Sequence, residues 1–190
     1  MNDSSAPQRS YVKGLWFVSA RRYALPKFGS AKMDEVVAYM PERYQVAMRA
    51  PLASEWYEEE ALAHGMRAAR DVLGDGTDAG LLTILEETTQ EGINRFWRAA
   101  LRVMSTELAV RMLPATWRHV RRGPGELTVQ IEGKRGVVRY ARFPYFHDPN
   151  YRTLALGTIR PLMRIATGTP ARVEIAGYGP TWCDVEVRFP

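Results

Sequence analysis

Residues 126–142, ELTVQIEGKRGVVRYAR, decide the fold of this chain. The first half places Leu127, Val129 and Ile131 at every second position, with polar residues between them. This period of two is typical of a strand with one buried face, whereas a helix repeats about every 3.6 residues. The turn Gly133-Lys134-Arg135-Gly136 joins this run to a second alternating run. The sequence therefore predicts a β-hairpin.

A similar arrangement follows toward the C-terminus. Residues 172–175 and 184–189 alternate as strands and are joined around 177–180, which is rich in glycine. Between the two hairpins, residues 151–166 keep a helical period. Pro161 lies inside that segment, so a kink or a break is expected there. The segment 123–190 is thus predicted as hairpin, helix, hairpin.

The preceding segment, residues 11–122, has a helical period throughout. Its first helix is predicted to end or kink at Pro26 and Gly29, and short helices are predicted over 32–39 and 42–49. A helix capped by Ser54 is predicted to reach Leu73. A long one capped by Asp78 runs toward Met104, and Ser105 caps the next. Gly92 within the long helix is expected to mark either a close helix crossing or a bend. Helices followed by strands predict an α+β fold in which the helical part packs on a small antiparallel sheet.

Composition indicates one domain. The chain has 190 residues, of which 46% are hydrophobic and 25% charged, and these values suit a single core over residues 11–190. Residues 1–10 are predicted to be a disordered lead-in without the apolar core of a secretory signal. No apolar run is long enough to span a membrane, so we expect a cytoplasmic location. The lone Cys183 can supply neither an internal disulfide nor a zinc site.

Charge is distributed unevenly along the chain. Residues 49–91 carry ten acidic against three basic side chains, whereas residues 95–122 carry seven arginines against Glu107 alone. Intramolecular ion pairing explains this asymmetry, and an electropositive face for an anionic partner is the alternative. Helical spacing places Arg95, Arg98 and Arg102 on one side of the predicted long helix, and Arg118 and Arg121 are predicted to extend this basic face.

Aromatic residues concentrate where the helices are predicted to meet the sheet. They form either an ordinary core or the lining of a cavity between the two layers. The predicted pocket residues are Phe96, Trp97, Trp117, Tyr140 and Phe146.

No catalytic or metal-binding pattern emerges from the sequence. His64, His119 and His147 are scattered, and His119 is expected to be solvated at a helix end. The carboxylates at 58–60 and 86–87 are helical neighbours that point about 100° apart, so solvated faces are expected. No phosphate-binding loop is present. We therefore predict no enzyme activity, no cofactor and no metal.

Several scattered features together resemble a known family. They are Val12-Lys13-Gly14, Phe28-Gly29, Met40-Pro41, Trp56-Tyr57, Leu73-Gly74, Ser105 leading to Pro114 and Trp117, and Gly125-Glu126-Leu127. This pattern resembles a paralogous, myxobacteria-associated domain family of unknown function. The order of elements is also remotely similar to haem-nitric-oxide-binding (H-NOX), four-vinyl-reductase-type and Golgi transport adaptor domains. That resemblance implies a pocket between the helices and the sheet.

The chain departs from these relatives in its chemistry. H-NOX domains carry a Tyr-x-Ser-x-Arg signature, which Tyr140-Ala141-Arg142 and the segment 151–155 both fail to match. The cysteine-rich motif of the four-vinyl-reductase type is also missing. The resemblance therefore implies neither haem nor metal, and it places no site residue on this chain.

These observations favour a non-enzymatic regulatory or sensor domain that binds a small ligand in the interlayer pocket. A protein–protein adaptor or dimerisation module with a filled core is the first alternative, with a protein partner or a second copy as its ligand. A nucleic-acid binder that uses the basic face is the second and less favoured alternative.

Overall fold

The computed structural model describes residues 9–93, 95–168 and 171–189, without the side chains of residues 95–97. The predicted α+β class is confirmed. The helices are α1 Leu15–Tyr39, α2 Glu42–Arg49, α3 Glu59–Ala68, α4 Asp78–Gly92, α5 Arg95–Val103, α6 Thr106–Arg111, α7 Leu113–Val120 and α8 Pro149–Thr167. The strands are β1 Tyr11–Lys13, β2 Trp56–Glu58, β3 Arg121–Arg122, β4 Glu126–Glu132, β5 Arg135–Ala141, β6 Arg172–Gly179 and β7 Trp182–Arg188.

The C-terminal sheet follows the prediction closely. It is antiparallel in the order β4-β5-β7-β6, and Leu127 pairs with Tyr140 in the first hairpin. Helix α8 lies between the two hairpins in sequence and contacts β6 and β7. It remains one helix through Pro161, whose ring is buried, so the chain does not break there. A kink at this position stays a prediction.

A second, three-stranded sheet was not predicted. Strand β1 lies between β2 and β3, and Val12 pairs with both Tyr57 and Arg121. The helix predicted to begin at Ser54 is therefore wrong over its first turn, where the chain forms β2 instead. Such short strands are held by partners distant in sequence, which local periodicity does not report. Beyond α3, residues Ala69–Leu73 form a π-helical turn.

Elsewhere in the helical part, one predicted helix is divided into two shorter helices. Gly29 has a φ of +83° and kinks α1, as predicted. The long helix predicted over 78–104 ends at Gly92, and α5 starts at Arg95. A side chain at Gly92 would lie 2.8 Å from Ser19 Oγ, so glycine permits the close approach of α1 and α4. Thr77, and not Asp78, caps α4.

Helix α4 packs against both α1 and α8 and forms the centre of the helical layer. Residues 1–8 of the predicted lead-in lie outside the described residues. Ser10 is buried, and its carbonyl accepts a hydrogen bond of 2.9 Å from the Glu59 amide. Over the described residues, none of the helices is long and apolar enough to span a membrane.

Candidate ligand-binding cavity

A cavity of about 170 Å³ lies between the helical layer and the four-stranded sheet. Its walls come from α1, α4, α7 and α8 on one side and from β4, β5 and the loop after β5 on the other. Apolar side chains dominate the lining, among them Leu15, Trp16, Leu113, Leu127, Leu154 and Leu162. A small cavity with an apolar lining and few polar groups is typical of a binding site for a small organic molecule.

Aromatic rings form the wall next to the sheet. Trp117 meets Tyr140 and Phe143 edge to face, with ring centroids 5.3 and 5.2 Å apart. Phe143 also contacts Phe146 and Tyr151, at 5.7 and 5.6 Å. This geometry is the one that aromatic pairs prefer, because it places a positive ring edge against a negative ring face. The cluster thus forms a continuous aromatic wall on this side of the cavity.

The structure brings together part of the predicted pocket set. Trp117, Tyr140 and Phe146 all line the cavity. The side chains of Phe96 and Trp97 lie outside the described residues. Sequence reasoning missed the wall formed by α1 and α4, because nothing in the local pattern reports which helix faces meet. That these residues bind a ligand stays a prediction.

A buried ion pair closes one side of the cavity. The Arg121 guanidinium donates from Nε and Nη2 to Glu59 Oε1, at 3.2 and 3.0 Å, and the Glu59 side chain is fully buried. Arg121 also lies over the Trp117 ring, 4.5 Å from its centroid. The Tyr151 hydroxyl donates to the same carboxylate oxygen at 3.1 Å. Burial and the nearby carboxylate raise the pKa of Tyr151 well above its usual range.

Two sequence-based expectations are corrected here. Arg121 was predicted to lie on an exposed basic face, but it is buried and paired with Glu59. Glu59 was predicted to be solvated, but it begins α3 on the side that faces the core. Because β3 pairs with β1 in the antiparallel sense, the Arg121 side chain is buried next to Glu59. This placement explains both differences.

Two hydroxyl groups on α4 lack hydrogen-bond partners. Thr88 and Thr89 are 3% and 9% exposed, and both line the cavity. Among the described residues, nothing accepts from or donates to either Oγ1 atom. Burial of a hydroxyl without a partner costs about 1–3 kcal/mol in proteins. Both Oγ1 atoms are buried inside the wall and are not open to the space of the cavity.

Arg98, Arg102 and Arg118 of the predicted basic face do not line this cavity. Arg98 donates from Nη2 to the Gln90 carbonyl at 2.8 Å. Arg102 and Arg118 are exposed, and the side chain of Arg95 is outside the described residues. That this surface binds an anionic partner stays a prediction.

Arg160 and Arg164 pair with Glu86 of the acidic segment, each within 4 Å. Arg67, which belongs to that segment, lies 3.0 Å from Asp148. These pairs offset part of the uneven charge, whereas Arg135 and Arg139 pair with carboxylates on the neighbouring strand β7.

The cavity wall does not offer the donor set that haem requires. Axial ligands to haem are histidine, cysteine, methionine or an ionised tyrosine. His64 stacks on Tyr44, and His119 and His147 are exposed, so none of the histidines lines the cavity. Burial raises the pKa of Tyr140, which favours the protonated phenol over a phenolate ligand.

No cluster of metal-ligating side chains occurs within residues 9–93, 95–168 and 171–189.

The adaptor alternative also lacks support, because it requires a filled core. Exposed large apolar side chains are spread over several elements, from Tyr39 on α1 and Val46 on α2 to Val103 on α5 and Trp182 on β7.

Solved structures of H-NOX proteins share this fold over nearly the whole chain. A variant of an H-NOX protein from S. oneidensis in the Fe(II) ligation state aligns with a TM-score of 0.69 and 11% identity, covering 94% of this chain and 96% of that one. The Fe(II) unliganded H-NOX protein from K. algicida aligns with a TM-score of 0.65 and 11% identity, covering 93% and 95%. An oxygen-binding H-NOX domain related to soluble guanylate cyclases gives 0.60 and 14%, covering 93% and 92%.

The chain therefore has the α+β fold of H-NOX domains. At such low identity the similarity concerns the fold alone, because one fold supports unrelated functions. No protein-family model matches the sequence, and comparison with curated proteins gives no match. The resemblance to the myxobacteria-associated family, and to the four-vinyl-reductase-type and Golgi transport adaptor domains, stays a prediction.

Proposed function

We propose that this protein is a non-enzymatic sensor domain that binds a small organic ligand between its helices and its four-stranded sheet. The observation that carries the proposal is the apolar cavity of about 170 Å³ in that interlayer position. An apolar concave site with few polar groups is where small organic molecules usually bind.

The size of the cavity bounds the ligand. An engineered apolar cavity of about 150 Å³ in another protein stays dry and takes up benzene or xenon. The cavity described above is similar in volume, so a molecule of one ring and a few further atoms fits it. The haem and gas chemistry of the structural neighbours is not carried over, because the residues at the wall do not provide an axial ligand.

Benzene is a suitable first probe because it needs no polar contact. Binding to the folded state alone raises the melting temperature in proportion to the logarithm of ligand concentration. We expect benzene to raise the melting temperature of the full chain and to bind with a stoichiometry of one by calorimetry. Native mass spectrometry of gently purified protein tests in parallel for a retained small molecule.

The matched variants are on α8. Ala155→Leu places additional carbons at the cavity wall, whereas Ala166→Leu makes the same change on the same helix outside the lining. We expect Ala155→Leu to abolish the response to benzene and Ala166→Leu to keep it. A response that is equal in both variants would show that the interlayer cavity is not the binding site.

A further inference from the structure

A second concave site, a groove of about 390 Å³, lies between α7 and the start of β4. Arg118 at the end of α7 and Arg122 on β3 both line this groove, and both residues are exposed to solvent. Among the described residues, no carboxylate lies within 4 Å of either guanidinium group. The groove therefore presents two unpaired positive charges to solvent.

The carboxylates near this groove have other partners. Glu59 pairs with the buried Arg121 at 3.0 Å, and Glu126, which lines the groove, pairs with Arg142 at 2.7 Å. The C-terminus of α7 also attracts cations, but a helix end carries only about half of a negative charge. This partial charge is much smaller than the charge of two arginines, so the groove keeps a net positive charge.

An aromatic ring holds one of the two arginines in place. The Arg122 Cζ atom lies over the Trp56 ring of β2, 4.0 Å from its centroid. Lys13 Nζ lies over the same ring at 5.1 Å and adds a further cation beside the groove. Contact with an aromatic ring favours a guanidinium group by cation–π attraction. Arg122 is therefore positioned in advance, which lowers the entropy cost of binding an anion.

We propose that this groove binds the dianionic phosphate group of a small molecule through Arg118 and Arg122, with Trp56 as the residue that positions Arg122. Each guanidinium group presents a planar fork of N–H donors that matches the oxygens of a phosphate. Two such groups neutralise a phosphate monoester, which carries nearly two negative charges. The proposal does not depend on the ligand of the interlayer cavity, although Trp117 lines both sites.

Methyl phosphate and dimethyl phosphate test the charge that the groove requires. At pH 8 the monoester carries two negative charges, whereas the diester carries one. An NMR titration of the full chain reports binding through the amide signals of Gly123 and Gly125, which line the groove. At constant ionic strength we expect methyl phosphate to bind about five-fold more tightly, because one more negative charge faces the arginines.

Substitutions assign the binding to the two arginines. Arg118→Gln and Arg122→Gln should each raise the Kd of methyl phosphate about ten-fold, as expected for the loss of a charge-assisted hydrogen bond. Arg22→Gln is the control, because it removes an exposed arginine of α1 that does not line the groove. It should leave the Kd unchanged.

The positioning role of Trp56 has a separate test. Trp56→Leu keeps every charge but removes the ring beneath the Arg122 guanidinium, so we expect the Kd to rise about three-fold. Trp56→Tyr keeps an aromatic face and should retain most of the natural affinity. The NMR spectrum of each variant shows in the same experiment whether the chain is folded.

Three outcomes would overturn the proposal. If Arg22→Gln weakens binding as much as the groove variants do, the anion responds only to the net charge of the protein. Equal binding of both phosphates would refute the dianionic ligand. If short single-stranded DNA binds far more tightly than methyl phosphate, with an affinity that falls steeply with salt, the surface binds nucleic acid instead. Each outcome leaves the response to benzene, and with it the proposed function, to its own test.

Discussion

Arg121 and Glu59 form a buried ion pair in which two guanidinium nitrogens share one carboxylate oxygen, at 3.0 and 3.2 Å. The pair joins β3 to the first turn of α3, which are 62 residues apart in sequence. The second carboxylate oxygen has no hydrogen-bond partner among the described residues. Because Arg121 lies on β3 and lines the cavity, this ion pair connects the cavity wall to α3.

Removal of one partner of this pair should be strongly destabilising. Arg121→Met leaves the Glu59 carboxylate buried without a counter-charge, which typically costs about 3–5 kcal/mol. We expect that loss in urea unfolding experiments. The double variant Glu59→Leu with Arg121→Met should be more stable than Arg121→Met alone, because it removes the unpaired charge.

The control is the exposed pair of Glu107 and Arg111, whose side chains are 52% and 56% exposed. Glu107→Gln should change the free energy of unfolding by less than about 1 kcal/mol. If Arg121→Met costs no more than this control, the pair does not stabilise the fold.

The contact of α4 with α8 depends on Gly157. A methyl group at this position would lie 2.6 Å from Leu85 Cβ, which a packed core does not accommodate without movement. Alanine favours a helix by about 1 kcal/mol over glycine, but overpacking costs about 1–3 kcal/mol. We expect Gly157→Ala to lower the thermal midpoint of unfolding.

Gly65 provides the comparison, because it also lies inside a helix. A methyl group there would lie 3.4 Å from the flexible end of Met48, which can move aside. Gly65→Ala should therefore be neutral or stabilising. Equal destabilisation by both substitutions would mean that the close approach of α4 and α8 is not the cause.

The thiol of Cys183 should be unreactive in the folded protein. Its side chain is buried, and burial raises the pKa of this thiol from 9.0 to about 12. Since the thiolate is the reactive form, labelling by a disulfide reagent at pH 8 should proceed only as fast as the protein unfolds. Rapid labelling of the native chain would contradict the buried position.

The same shift predicts a dependence of stability on alkaline pH. Between pH 9 and about 12 the folded thiol keeps a proton that the thiol of the unfolded chain has lost. The unfolded state then binds fewer protons, so the free energy of unfolding falls as the pH rises through this range. The fall should be steeper in the natural protein than in Cys183→Ala. Equal slopes would show that another group is responsible.

Arg98 should act as a local structural residue. Its Nη2 atom donates to the Gln90 carbonyl near the end of α4, at 2.8 Å. Arg98→Ala should lower the free energy of unfolding by about 1 kcal/mol, measured by urea denaturation. Arg102→Ala, an exposed neighbour on the same helix, should change it by less than about 0.5 kcal/mol. A larger loss for Arg102→Ala would contradict this assignment.

Parts of the candidate site could be predicted before the structure, and parts could not. Trp117, Tyr140 and Phe146 were assigned to the pocket from their position between helices and strands, and all three line the cavity. Thr88 and Thr89 were not assigned, because a threonine that lacks its usual helical hydrogen bond looks like any other threonine in a sequence. Only the packing of α1 and α8 on α4 shows that these two threonines lie at the cavity wall.

The sequence by itself determined the two C-terminal hairpins and the α+β class, because periodicity and turn residues act over short distances. The tertiary structure alone decided the three-stranded sheet and the burial of Glu59 with Arg121. The tertiary structure also decided that a cavity exists between the helices and the four-stranded sheet. These features arise from contacts between segments far apart in the chain, and such contacts override local preference wherever burial is worth more than the local signal.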